Sequence, residues 1–231
     1  MMARMSSVVR ATLSDQAYEE LRARILSGVL PGGRRLLPEE LALNLAISQT
    51  PIKEALLRLE ADGLVVSPMR KGAVVRQFTR ADVEELYEAR MLIELNAVGQ
   101  IFEKGPIAPE LITDLSRCLD AHEFYARRGT LDDITTALVH DRKFHSALMT
   151  AAGNQMICEW HQRILGQTHT VFVYLAGNYS RSADEHRDIL DALKAGSSDQ
   201  TREALRRHLL HSHDNALDNV RRSGLAEIEG P

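Results

Sequence analysis

Asp141 and His145 stand four residues apart in a segment, 130–152, whose apolar spacing predicts a helix, so both side chains leave one face of it. A carboxylate and a neutral imidazole placed this way can ligate zinc first of all, with nickel and manganese as further candidates. On its own the pair is weak evidence, because a DxxxH spacing in a chain with nine histidines is usually a solvated or capped pair. His186 and His208 strengthen it. Each falls on its own predicted helix, and helical bundles build metal sites from facing helices. Arg90 is the other group able to do chemistry. It lies among Tyr87, Met91 and Glu94 on a long predicted helix, and an inward guanidinium needs a carboxylate or a ligand to accept its charge. Glu94, four residues along, is the simplest partner. A cation only partly neutralised by one aspartate, with a guanidinium nearby, favours a small carboxylate that can reach both. Asn154 is a candidate for one more hydrogen bond to it, and His169 for a further pocket residue. His122 and His161 fit core or surface equally well, whereas His211 and His213 fall on a polar face.

A second kind of chemistry is written between Leu41 and Leu64. Leu41, Ala42 and Leu45 mark one short helix; Ile52, Ala55, Leu56, Leu59 and Leu64 mark another at three- and four-residue steps. Ser48, Gln49 or Thr50 can cap the second, and Pro51 suits its first turn. This is a helix-turn-helix, whose second helix can enter the major groove and offer Gln49, Thr50, Lys53 and Arg58 to base edges and phosphates. Val65–Arg76 then reads as strand, basic turn, strand: a wing with Arg70 and Lys71 at its tip.

Taken together, these residues resemble the GntR family of bacterial transcription regulators. The resemblance is carried by Pro31-Gly32-Gly33-Arg34-Arg35-Leu36, Glu40-Leu41-Ala42, Ser48-Gln49-Thr50-Pro51-Ile52-Lys53-Glu54-Ala55-Leu56, Leu59-Glu60, Gly63-Leu64-Val65 and Lys71-Gly72-Ala73-Val74-Val75. It implies a DNA-contacting set of Arg34, Arg35, Ser48, Gln49, Thr50, Lys53, Arg58, Arg70, Lys71 and Gly72. Family members usually carry arginine where this chain has Gln49 and Lys53. Neither replacement reproduces the bidentate fork toward guanine, so a different half-site is expected. The remainder resembles the FCD type of effector domain through Tyr87-Glu88-Ala89-Arg90 with Glu94, Asp141-Arg142-Lys143-Phe144-His145, Ala151-Ala152-Gly153-Asn154, Glu185–Leu190 and Arg207-His208-Leu209. In such domains one Asp and three His commonly hold a divalent cation. Here those positions are Asp141, His145, His186 and His208, and the family leans toward organic and sugar acids as effectors.

The elements that must position these groups follow from pattern. Leu13-Ser14-Asp15 supplies a start signal for a helix carrying Tyr18, Leu21, Ile25 and Leu26, and Thr79 with Asp82 caps a long helix to about Lys104. Further helices are expected at 109–128, 130–152, 154–176, 182–196 and 198–222, broken near Gly105-Pro106, Arg128-Gly129-Thr130, Gly153-Asn154, Gly177-Asn178 and Gly196-Ser197-Ser198, with no convincing strand. The fold class is therefore mainly α. A winged helix-turn-helix of three helices and a β-hairpin (1–78) precedes an all-α six-helix bundle (79–231) that binds metal and effector and dimerises.

Composition agrees. Residues 1–78 hold 11 Lys+Arg against 8 Asp+Glu, and the rest 17 against 24, a basic head on an acidic body. No apolar run approaches the ~20 residues of a membrane span, the N-terminus lacks a secretory core, and Cys118 and Cys158 are too few for a disulfide framework; these point to the cytoplasm. The expected function is a ligand-responsive regulator, by default a repressor, that binds a palindromic double-stranded operator as a homodimer. Two alternatives stand beside it: an all-α metal-dependent enzyme acting on a small organic acid, and an architectural DNA binder whose helical part only dimerises.

Overall fold

Thr12 opens the first helix with a reciprocal cap. Its hydroxyl accepts from the Asp15 N–H at 3.1 Å, and the Asp15 carboxylate accepts from the Thr12 N–H at 3.0 Å. The cap thus sits one residue ahead of the expected start signal. A computed structural model describes residues 12–67, 72–128, 130–173 and 180–222. The leader up to residue 11, the wing tip with Arg70 and Lys71, the Gly177-Asn178 break and the C-terminal tail lie outside the described residues.

The N-terminal unit contains α1 (Leu13–Leu26), β1 (Arg35–Leu36), α2 (Pro38–Leu45), α3 (Gln49–Ala61), β2 (Val65–Val66) and β3 (Ala73–Val75). Its core is apolar: Leu21 and Ile25 of α1 are buried, as are Leu36, Leu41, Ile52, Leu59, Leu64 and Val75. Burying one such side chain contributes about 1.5–3 kcal/mol. Ser48 takes the N-cap position of α3 in extended conformation, though without a side-chain hydrogen bond. The sheet has a strand that the hairpin reading did not anticipate. β1 pairs antiparallel with β3, Arg35 opposite Val74 and Leu36 opposite Ala73, and β3 pairs in turn with β2.

Among the described residues six helices build the second unit, as expected: α4 (Arg80–Glu103), α5 (Pro109–Ala126), α6 (Leu131–Ala152), α7 (Gln155–Val173), α8 (Ser180–Lys194) and α9 (Ser198–Arg222). Thr79 and Asp82 form the capping box that starts α4. Gly153, at φ 85°, ends α6 in the left-handed region, where Lys104 Nζ donates to the Ala151 and Ala152 carbonyls at 2.8 Å each. The chain divides between Arg76 and Gln77, with Leu26–Gly28 grouped with the second unit. Phe78, the last residue of the expected first domain, packs with Val83, Tyr87, Val171, Ala216 and Val220 of the helical unit. The main core there gathers Val98, Leu115, Leu119, Phe144, Leu148, Ile189 and Leu205.

Candidate functional site: a buried acid–imidazole centre and a polar recognition helix

The prospective ligands occupy positions inside apolar stripes. On α6, Ala137, Asp141, Phe144, His145, Leu148 and Ala152 recur at three- and four-residue steps and are all buried. Ala183, His186, Ile189, Leu190 and Leu193 do the same on α8, and Leu205, His208 and Leu209 on α9. Folding the apolar faces together therefore carries Asp141, His145, His186 and His208 inward, where their ligating atoms lie within 4.8 Å of one another. His186 Nε2 stands 3.1 Å from His145 Nε2 and 3.4 Å from Asp141 Oδ1.

Carboxylates behind the rings fix which nitrogen faces the centre. The Glu94 carboxylate accepts from His145 Nδ1–H at 2.6 Å, and the Glu185 carboxylate from His208 Nδ1–H at 3.0 Å. In both rings this leaves Nε2 as the bare donor of an electron pair. His169 Nε2–H donates to Asp141 Oδ2 at 2.8 Å. Burial would push the Asp141 pKa up, but that hydrogen bond, with His145 and His186 nearby, holds the carboxyl well below its usual range. Burial depresses His186, His208 and His169 below the ordinary imidazole value, His169 to about 4. A carboxylate among imidazoles is a donor set suited to a divalent cation. The residues therefore fit such a cation.

Glu94 stands behind His145, with protein groups on both of its oxygens. Its Oε1 accepts from Arg90 Nε at 2.7 Å and lies 3.0 Å from His161 Nε2, while Oε2 serves His145. Both oxygens are occupied by the protein. Burial would raise its pKa; Arg90, then His145 and His161, hold it well below the carboxylate range. Arg90 is 2% exposed, and its second terminal nitrogen has no partner, nor does the buried Tyr87 hydroxyl. Asn154 caps a helix. Its Oδ1 accepts from Ile157 N–H at 3.1 Å at the start of α7, and at ~1.5 Å per residue the end of α6 lies roughly 16 Å beyond Asp141.

Glu185, His122 and His161 were not among the expected site residues. Glu185 was visible only as the neighbour of His186; it also accepts from His211 Nδ1 at 2.5 Å and from Arg181 Nε at 2.9 Å. The lone histidines carried no sequence signal of burial.

In the N-terminal unit, Arg34, Arg35, Ser48, Gln49, Thr50, Lys53, Arg58 and Gly72 are all exposed. At ~100° per residue, Gln49, Thr50 and Lys53 share one edge of α3, with Leu57, 65% exposed, beside them. Arg58 lies about 140° round the helix from Lys53. There its guanidinium meets Asp15 at 2.8 Å and covers the Tyr18 ring at 4.0 Å, while Tyr18 donates to Asp62 at 2.5 Å. These contacts fasten α1 to α3 and take Arg58 away from the reading edge. Arg35 approaches the wing: a Cβ placed on Gly72, at φ 74°, would lie 3.8 Å from its Nε. Arg34 pairs with Glu40 at 3.2 Å.

Residues 13–75 match the family model of bacterial regulatory proteins of the gntR family, and residues 85–211 that of the FCD domain. The chain belongs to the GntR family and carries an FCD domain. GntR-family proteins are DNA-binding transcription regulators, not enzymes, so the enzyme alternative falls. The chain is 28% identical over 204 residues to the uncharacterized HTH-type transcriptional regulator YdhC of Bacillus subtilis (strain 168), covering 86% of this chain and 88% of YdhC. It is 28% identical over 148 residues to the gluconate operon transcriptional repressor of Bacillus licheniformis, covering 64% of this chain and 58% of that one. The E. coli McbR/YncC structure shares the fold, with a TM-score of 0.77 at 22% identity over 90% of this chain and 99% of its own. Among the described residues no helix is long and apolar enough to cross a membrane.

Proposed function

We propose that this GntR regulator acts in the cytoplasm as a homodimer on a palindromic operator and responds to a small carboxylate bound beside a divalent cation. Residues 1–78 serve as the DNA-binding domain, and 79–231 bind metal and effector and dimerise. Asp141, His145, His186 and His208 would hold the cation, zinc first and nickel or manganese as further candidates. Such a cation supplies Lewis acidity toward a carboxylate oxygen. The observation that carries the reading is the convergence of these buried groups beside Arg90, whose terminal nitrogen is buried without a partner. A buried donor left unpaired costs about 1–3 kcal/mol. A carboxylate arriving there removes that cost. His169 Nε2–H is spent on Asp141, so its unpartnered Nδ1 is an acceptor.

Gln49, Thr50 and Lys53 read base edges or phosphates; Arg35 and Gly72, with Arg70 and Lys71, supply wing contacts; Arg34 and Ser48 contact the backbone. Repression relieved by ligand is the default sense. The carboxylate prefers one packing of the bundle, and DNA affinity changes by the same coupling free energy.

Selection of zinc-loaded protein against random duplexes tests this, followed by titration of the selected duplex with a panel of organic acids. An inverted repeat with half-sites about one helical turn apart, and an acid that shifts its affinity, is expected. No enrichment over random DNA at moderate salt, with any acid, would overturn it.

A further inference from the structure

Two of the three imidazoles in the buried centre have a carboxylate behind them; His186 has none. Its Nε2 faces His145 and Asp141, while its Nδ1 is buried and unpartnered. With the His145 ring bonded to Glu94 through Nδ1–H and its Nε2 bare, His186 Nε2 would carry the proton in the 3.1 Å approach between the two rings when no cation is present. A cation can take the His186 Nε2 lone pair only if that proton moves to Nδ1. The ring then presents a buried N–H that needs an acceptor.

The neighbouring ring offers one. His122 of α5 is 1% exposed and meets His186 edge-on, with ring centroids 5.2 Å apart. His122 Nδ1 lies 3.0 Å from the Ala137 carbonyl oxygen, which can only accept. The proton of His122 is therefore on Nδ1, and its Nε2 is a bare acceptor, buried and without a partner. A donor lacking an acceptor and an acceptor lacking a donor sit on adjacent rings. Phe144, tilted against His186 at 4.5 Å, offers no acceptor of its own.

We infer that His122 is a positioning residue for the metal centre: it takes the Nδ1–H of metal-bound His186, directly or through one water, and so does for His186 what Glu94 and Glu185 do for His145 and His208. The inference rests on the metal reading of the preceding section. A neutral acceptor at this position also adds no negative charge to a centre that already has Asp141 in it and Glu94 and Glu185 behind it. Holding the third ring by an imidazole limits the charge that the protein must bury.

Zinc titration of metal-stripped full-length protein against a competing chelator dye provides the test, run on wild type, Asp141→Ala, His122→Leu and His122→Gln. Tight binding is expected for wild type and little for Asp141→Ala. His122→Leu should bind zinc about 10- to 100-fold more weakly, and His122→Gln, whose amide oxygen can accept, should recover part of the loss. Absence of zinc binding by wild type sinks both the metal reading and the inference. Binding by wild type with unaltered affinity in folded His122→Leu sinks the inference alone. Should His122→Leu fail to fold, nitrogen-resolved NMR of the wild-type imidazoles decides. His122 protonated on Nδ1 throughout, with the His186 proton moving from Nε2 to Nδ1 on zinc addition, upholds it; His122 protonated on Nε2 in the zinc-loaded protein overturns it.

Discussion

Among the described residues, the winged helix-turn-helix buries only apolar side chains, from Ala17 to Val75, whereas the helical unit buries a guanidinium, carboxylates and imidazoles between Arg90 and His208. The head keeps its charges at the surface. There Arg58 and Asp15, nearly half exposed, are bonded yet still solvated. The body keeps Arg90 and Glu94 at 2% and 1% side-chain exposure, pairs them with one another and gives Glu94 a second partner in His145, while one Arg90 terminal nitrogen stays unpartnered. On the function proposed above, the difference follows from task. A surface that meets DNA must present polar groups to water before it presents them to phosphates, while a site for a small anion and a cation would gain strength from excluding water.

The sharpest way to break this comparison is to remove one charge from each unit. Glu94→Ala leaves Arg90 buried without its counter-charge and His145 without its acceptor. We expect a loss of about 3–5 kcal/mol in urea-induced unfolding of the helical unit. Arg58→Ala removes an exposed ion pair and a cation over the Tyr18 ring, and should cost the winged unit about 0.5–1 kcal/mol. Equal costs would mean that the buried network is as well hydrated as the surface one.

Metal removal separates the units next. Zinc at about a hundred times its dissociation constant should stabilise the helical unit by ~2.7 kcal/mol, seen as a raised thermal midpoint that a chelator reverses. Asp141→Ala should abolish that rise. Unfolding of the winged unit should not move, and a zinc-dependent shift there would contradict the division of labour.

On the DNA side the effects are smaller and selective. Gln49→Ala should cost about 1–3 kcal/mol of discrimination at a single base pair of the selected operator. Lys53→Ala, if the ammonium meets a phosphate, should weaken all duplexes evenly and reduce the salt dependence by about one counterion. Neither should change zinc content.

How much of this was legible in the sequence depends on how local each feature is. Thr79 with Asp82, the helical spacing of Ile52, Ala55, Leu56 and Leu59, and the breaks at Gly153 and Gly196 are local signals, and the elements they predict are present. β1 was not legible. Arg35–Leu36 is too short to show a periodic pattern, and it is a strand only because β3 supplies the partner edge. The ligands Asp141, His145, His186 and His208 could be proposed because each sits in an apolar stripe and matches a family position. What stands behind them could not. Glu185, His122 and His161 acquire their partners from helices folded against their own, and a lone histidine in a helical pattern carries no mark of which way that packing turns. Asn154 shows the same limit, since its neighbourhood in sequence does not reveal that its side chain caps α7.

A last comparison concerns backbone strain at the two turns that lead into the functional helices. Ala46, between α2 and α3, holds φ 54° and ψ 40°, so that Ile47 N–H reaches the Ala42 carbonyl at 3.1 Å. A side chain in this left-handed region costs roughly 1–2 kcal/mol, and Ala46 is exposed, with no burial of its methyl to offset that. Glycine removes the strain but gives the unfolded chain more freedom, a cost of up to about 1 kcal/mol. Ala46→Gly should therefore stabilise the winged unit by about 0.5–1 kcal/mol. Gly153→Ala is its mirror in the helical unit. There a Cβ would stand 2.5 Å from Lys104 Nζ at φ 85°, so the substitution both strains the backbone and displaces the cation capping α6. It should destabilise by at least ~1 kcal/mol. Opposite signs in chemical denaturation are expected. A loss of stability in Ala46→Gly would show that the Ala46 methyl is needed where it stands.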